Sequence, residues 1–141
     1  MQNASKQVNL ADFEQAMELL LKELLPSLEG AGYEQTSRFA IRLALEETLT
    51  NAFQHGNQGD LSKKVSLKWA LDDHGATFEV IDEGDGFDPA AVPDPTTEEN
   101  LEIPAGRGLI LVRSFMTELQ IIAPGNHVKM RYVRPTSQGV E

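Results

Sequence analysis

Glu47 and Asn51 are the two side chains of this sequence whose types and spacing are best suited to chemistry. They are four residues apart in a segment with helical periodicity, so they share a helix face, whereas Glu46 points away toward solvent. The apolar stripe that borders this face consists of Ile41, Leu45, Thr48, Leu49 and Ala52. Carboxylate and amide oxygens suit Mg²⁺, which usually keeps its waters and a substrate phosphate. Taken alone, the pair favours a solvated helix flank over a functional site.

A second candidate element, residues 82–87, directly follows a predicted strand. Gly84 and Gly86 allow the backbone to approach a flat ligand closely or to adopt a positive φ. Asp82, next to the apolar Val80, could accept a hydrogen bond from an exocyclic amine. The alternative is an ordinary acidic turn. A calcium loop is disfavoured, because Gly84 and Pro93 would occupy two of its ligand positions.

The third candidate element contains Gly106, Arg107 and Gly108 at the start of a predicted helix. Exposed N–H groups and the positive end of the helix dipole create an anion site there, and Arg107 adds a fixed positive charge. The third glycine of a dinucleotide fingerprint is missing, and the sequence has no GxxxxGK[ST] loop. The alternative is a helix start with a flexible hinge.

The segments that must position these residues show both helical and strand periodicity. Helical spacing predicts a first helix over residues 10–24, ended by Pro26, and a second over residues 34–55. Period-two alternation predicts an antiparallel hairpin from residues 65–71 and 78–80. The C-terminal part is predicted to form a helix over residues 108–116 and strands over residues 118–123 and 128–133. This order predicts an α/β two-layer sandwich, with a mixed, mainly antiparallel sheet and helices on one face.

Residues 83–105 form a loop with four prolines, which predicts a functional lid. A single domain is predicted over residues 1–134, followed by a disordered tail over residues 135–141. The acids Asp12, Glu14 and Glu18 in the N-terminal apolar stretch argue against a signal peptide, and no apolar run reaches a membrane span. We therefore expect a soluble, cytoplasmic protein.

The composition excludes several classes of function. There are 22 acidic residues against 12 basic ones, a formal charge of −10, which would repel a nucleic acid. A protein partner with basic patches fits this charge better. Without cysteine, the chain has no thiol chemistry and no disulfide framework.

The order of the three elements resembles the nucleotide site of gyrase, histidine kinases and mismatch-repair ATPases. The fuller resemblance, over residues 12–134, is to the bacterial anti-sigma-factor serine/threonine kinases, which have a Bergerat-type ATP-binding fold. Residues 44–52 with His55 resemble their N box, residues 80–87 their G1 box and residues 106–112 their G2 box. The chain departs from the family at Asn126 and His127, where a threonine is common.

The resemblance implies a role for each matching residue, with ATP as the nucleotide and Mg²⁺ as the metal. Asn51 would be the Mg²⁺ ligand, Glu47 the general base and Asp82 the acid that reads adenine. The other implied nucleotide contacts are His55, Gly84, Gly86, Gly106, Arg107, Gly108 and Leu109.

The resemblance also implies partners. It implies an anti-sigma antagonist of the STAS type as the phosphorylated protein, a sequestered sigma factor, and a homodimer. Two alternatives remain open: a binding module that switches partners without turnover, and a detached ATPase domain of the histidine-kinase type.

Overall fold

Among the residues that the structure describes, five strands form a single sheet, which is one layer of the fold. The computed structural model describes residues 4–72, 74–84, 112–113, 115–122 and 126–134. The strands are β1 (Ala4–Leu10), β2 (Val65–Leu71), β3 (Gly75–Ile81), β4 (Glu118–Ile122) and β5 (His127–Val133). Their order is β1-β2-β3-β5-β4, and the pairing between each two neighbours is antiparallel.

Alternation along the central strands makes one face of the sheet apolar. Val65, Leu67, Trp69 and Leu71 of β2 are all buried, while the residues between them are more exposed. Trp69 lies opposite Phe78 of β3, and Phe78 in turn lies opposite Met130 of β5. Side chains directly opposite each other on one face pack together, so this face requires a covering layer.

Helices supply that covering layer. Their segments are α1 (Phe13–Leu19), the π-helical π1 (Leu20–Leu24), α2 (Leu25–Gly30), α3 (Gln35–Thr50) and the π-helical π2 (Asn51–Gly56). Asp12 begins the first of them, because its side chain accepts a hydrogen bond from the Gln15 N–H at 2.8 Å. The buried helix residues and the apolar sheet face form a single hydrophobic cluster. The predicted two-layer α/β fold is therefore confirmed.

Strand β1 was not expected from the sequence, which assigns Leu10 to the first helix. Leu10 is instead the last residue of β1 and is fully buried. Only Val8 and Leu10 give the strand an apolar face, and Lys6 places its ammonium 5.9 Å from the Trp69 ring centroid. Such a short apolar pattern at a sheet edge is too weak to distinguish from the start of a helix.

The prediction that Pro26 ends the first helix is wrong. Pro26 lies in the first turn of α2, and the helix continues to Gly30. Proline lacks an N–H and clashes with the carbonyl four residues earlier in an α-helix. The preceding segment is π-helical, with the Leu25 N–H donating to the Leu20 oxygen, and this wider turn accommodates the proline.

The buried face of this helical region also differs from the predicted stripe. Phe13 and Leu21 are 38% and 49% exposed, whereas Leu20, Leu24 and Leu28 are completely buried. The buried leucines recur every four residues, because the π-helical turn adds a residue to the helical repeat.

Most of the predicted helix over residues 108–116 lies outside the described residues. Of that segment, residues 112, 113 and 115 are helical, and Val112 is buried in the core. The predicted lid, apart from Glu83 and Gly84, and the predicted tail also lie outside. Within the described ranges, no helix has the length and apolarity needed to cross a membrane.

Candidate functional site

Helix α3 carries the first candidate pair, and the core holds it in place. Every residue of the predicted apolar stripe, from Ile41 to Ala52, is buried, which confirms the predicted helical register. Thr48 is accommodated there because its hydroxyl donates to the Ala44 carbonyl at 2.7 Å. The stripe fixes the rotation of α3, and therefore the face on which Glu47 and Asn51 lie.

Glu47 and Asn51 lie where the α-helix changes to a π-helix. The Asn51 N–H donates to the Glu47 carbonyl, and π2 begins at Asn51. Glu47 is half-buried, whereas Asn51 is only 7% exposed. Single π-helical turns within α-helices are frequent at functional sites.

Glu46 does not extend freely into solvent as the sequence predicted. Its Oε2 atom lies 2.8 Å from Nε of Arg42, one helical turn earlier, and the side chain is 28% exposed. Glu46 nevertheless lies on a different face of α3 from Glu47, because successive helical residues are about 100° apart.

Asn51 has a buried amide oxygen that no described residue satisfies. Its Oδ1 atom has no hydrogen-bond partner among the described residues. A buried polar atom normally has a partner, so this oxygen can accept a bond from a group outside the described residues. An amide oxygen is a donor that Mg²⁺ accepts, so Asn51 fits the metal implied by the sequence. Elsewhere in the described chain, no three His, Asp or Glu side chains gather into a metal site.

Asp82 follows the end of β3 and is nearly buried, with 8% of its surface exposed. Its Oδ1 atom accepts a hydrogen bond from the Gly84 N–H at 2.7 Å. Asn126 fixes its backbone twice: the Asp82 N–H donates to the Asn126 carbonyl at 2.9 Å, and the Asn126 amide donates to the Asp82 carbonyl at 2.9 Å. Burial raises the pKa of Asp82 above the ordinary aspartate value, and the Gly84 N–H and then Lys63 oppose this shift.

Two glycines bring the end of π2 against Asp82. A Cβ atom built on Gly56 would stand 2.2 Å from Oδ2 of Asp82, and one built on Gly84 would stand 1.7 Å from the Gly56 carbonyl oxygen. Neither position has room for a side chain. The structure therefore brings together the helix that carries Asn51 and the strand end that carries Asp82.

A family model described as a histidine kinase-like ATPase domain matches residues 10–132, most of the chain. The chain belongs to the histidine kinase-like ATPase domain family.

Two relatives of this ATPase domain are proteins named anti-sigma F factor. They come from Bacillus thuringiensis (strain Al Hakam) and Bacillus mycoides (strain KBAB4), and each is 31% identical over 86 residues. The match covers 59% of this chain and 58% of each relative. The chain thus spans little more than half the length of these relatives. The match to the ATPase domain family confirms the resemblance of the motifs to the nucleotide site of that family.

Sequence reasoning missed three residues that surround Asp82 in the candidate site. Gly56 and Asn57 directly follow the predicted second helix and were assigned no role, and Asn126 was noted only as a departure from the family. Asn57 is fully buried and joins three segments, which no local pattern indicates. The one available signal for Gly56 was its position just after the predicted N box.

The structure does not bring the predicted site residues other than Gly84 together with Glu47, Asn51 and Asp82 among the described residues. His55 is exposed near the end of π2, and no hydrogen bond joins its side chain to another described residue. Gly86, Gly106, Arg107, Gly108 and Leu109 lie outside the described residues. Within the ATPase domain, the described cluster offers a buried acceptor at Asp82, an unsatisfied amide oxygen at Asn51 and a half-buried carboxylate at Glu47. These groups suit binding of an amine, binding of a cation and removal of a proton, respectively.

Proposed function

We propose that this chain binds ATP with Mg²⁺ and transfers the γ-phosphate to a serine or threonine of a protein partner. The observation that carries the proposal is the carboxylate of Asp82, which is buried against Gly56. A buried carboxylate requires hydrogen-bond donors, and the described structure supplies the Gly84 N–H. The exocyclic amine of adenine is a suitable second donor. The match to an ATPase domain family supports this assignment.

The transfer step needs a base and charge neutralisation. Glu47 accepts the proton of the partner's hydroxyl group. The hydroxyl oxygen forms a bond to the γ-phosphorus, and the bond between the γ-phosphorus and the β,γ-bridging oxygen breaks to release ADP. Asn51 would hold Mg²⁺, which when bound neutralises charge on the phosphates. The buried apolar stripe of α3 keeps Glu47 and Asn51 on one face of the helix during the transfer.

The relatives and the charge of the chain support the proposed partners. The relatives are named anti-sigma F factor, which supports a sigma factor as one partner. The resemblance of the motifs supports an antagonist of the STAS type as the phosphorylated partner. The formal charge of −10 favours basic surfaces on proteins over nucleic acid. We also propose a cytoplasmic protein that forms a homodimer.

A second candidate is a module that binds ATP or ADP and switches partners without turnover. It is favoured by the surroundings of Glu47, whose carboxylate has no hydrogen-bond partner among the described residues. A general base is normally oriented by a neighbouring group.

Two measurements test the proposal. With Mg²⁺ present, ATP and ADP should raise the melting temperature of the protein, because they bind only the folded state. GTP should raise it less, and equal stabilisation by GTP would contradict the role of Asp82. Partners captured with and without ATP should then be incubated with radiolabelled ATP. Acid-stable label on a partner supports serine or threonine transfer, acid-labile label indicates a histidine-type enzyme, and nucleotide binding without label indicates the binding module.

A further inference from the structure

Asn57 follows π2 and is completely buried, although its side chain is polar. We propose that Asn57 is a positioning residue for the nucleotide site: it fixes the segment that leaves β3, and through it the orientation of the Asp82 carboxylate. This inference rests on the proposed adenine-binding role of Asp82.

The side chain of Asn57 joins two loops. Its Oδ1 atom accepts a hydrogen bond from the Glu83 N–H at 2.8 Å, and its Nδ2 atom donates to the Lys64 carbonyl at 3.2 Å. Its backbone N–H donates to the Ala52 carbonyl at 2.8 Å, five residues earlier, which closes the last π-helical turn. One residue therefore connects the end of the helix, the loop before β2 and the loop after β3.

The bond to Glu83 is important because Glu83 lies between Asp82 and Gly84 in the chain. On one side, Asn126 holds the backbone of Asp82. On the other side, the Gly84 N–H donates to Oδ1 of Asp82. Without the bond from Asn57, the Glu83 peptide could rotate. The Gly84 N–H would then no longer be directed at Oδ1 of Asp82, and Gly84 would no longer be held against the Gly56 carbonyl. The carboxylate would then lose one of the bonds that orient it.

A purely structural role has a different signature. Removing a buried, satisfied hydrogen-bonding group lowers the free energy of unfolding wherever it lies. It changes nucleotide selectivity only if the group controls the atoms that read the base. Ser37 provides the matched control: it is 2% exposed, and its hydroxyl lies 2.7 Å from that of Tyr132, between α3 and β5.

The test compares Asn57→Ala with Ser37→Ala in the full chain. The ratio of the ATP to the GTP dissociation constant is measured by titration calorimetry with Mg²⁺, on protein shown to be folded by circular dichroism. We expect both variants to melt at lower temperature. Only Asn57→Ala should lose selectivity, by roughly tenfold or more, the scale of a hydrogen bond to a charged group.

Each result has a separate meaning. If Asn57→Ala keeps the wild-type selectivity, the positioning role is overturned while the proposed function stands. If the wild-type protein itself does not discriminate between ATP and GTP, the proposed role of Asp82 fails first. If Asn57→Ala does not fold, Asn57→Ser is measured instead, because its hydroxyl is too short to replace the bond to Glu83. Loss of selectivity in Asn57→Ser supports the inference, and wild-type selectivity or failure to fold overturns it.

Discussion

Oδ2 of Asp82 occupies the space that a side chain on Gly56 would need, since a Cβ atom there would stand 2.2 Å from it. The end of a helix and the end of a strand, far apart in sequence, thus meet at one carboxylate. Only glycine at position 56 permits this approach. This contact directly joins π2, which carries Asn51, to the end of β3, which carries Asp82.

Replacing Gly56 with alanine should therefore damage the site. In an ordinary helix, alanine is more stable than glycine by about 0.5–1 kcal/mol. Here the added methyl group must displace Asp82, so we expect Gly56→Ala to lower the free energy of unfolding by about 1–3 kcal/mol and to weaken ATP binding. Urea unfolding and calorimetry measure the two effects.

Gly30→Ala is the control, because a Cβ atom on Gly30 meets nothing within 4 Å. This variant should leave ATP affinity unchanged and alter the free energy of unfolding by less than about 1 kcal/mol. Equal behaviour of the two alanine variants would show that the contact with Asp82 has no consequence.

Asp82→Asn should separate binding from stability. The amide removes a buried negative charge and can still accept the Gly84 N–H, so the protein without nucleotide should be as stable as wild type or more stable at neutral pH. ATP affinity should fall roughly tenfold or more, because an acceptor for the adenine amine is weakened. Calorimetry on the folded variant checks the affinity, and undiminished binding would contradict the assignment of Asp82.

The raised pKa of Asp82 also predicts a pH dependence. Folding raises this pKa above 3.8, so the folded state retains the proton at pH values where the unfolded chain has lost it. The contribution of Asp82 to stability is therefore greatest below pH 3.8 and decreases as the pH rises through the folded pKa. The free energy of unfolding of Asp82→Asn, relative to wild type, should increase from acid to neutral pH in urea titrations. A constant difference would argue against a buried, ionised Asp82.

Asn51→Ala should reduce both nucleotide binding and transfer. It removes the unsatisfied buried oxygen that we assign to Mg²⁺. Without Mg²⁺, ATP affinity of the variant and of wild type should be similar, and only wild type should gain affinity when Mg²⁺ is added. An equal gain in both proteins would exclude Asn51 as the ligand.

Glu47→Gln should bind ATP normally but transfer phosphate about 10²–10⁴-fold more slowly, the usual contribution of a general base. Single-turnover labelling of the partner measures this rate. Glu46→Gln is the control: it loses only the ion pair with Arg42, worth roughly 0.3–0.5 kcal/mol on a helix surface. If Glu46→Gln stops transfer and Glu47→Gln does not, the base has been assigned to the wrong residue.

The sequence alone determined the local features of this protein. The period of the apolar residues from Ile41 to Ala52 was sufficient to place Glu47 and Asn51 on one helix face, because helical repeat is a local property. Alternation in β2 and β3 predicted the hairpin for the same reason. The order of the three motifs indicated the family. The roles of residues 85–111, including the lid, stay predictions.

Only the tertiary structure decided how the local elements meet. The pairing of β1 with β2, and the position of β5 between β3 and β4, depend on contacts between distant segments, which periodicity does not encode. The contact of Gly56 with Asp82 depends on two elements packing against the same core. Asn57 shows the reason most clearly: its amide satisfies backbone groups of Lys64 and Glu83, so its role exists only once both loops have reached the end of the helix.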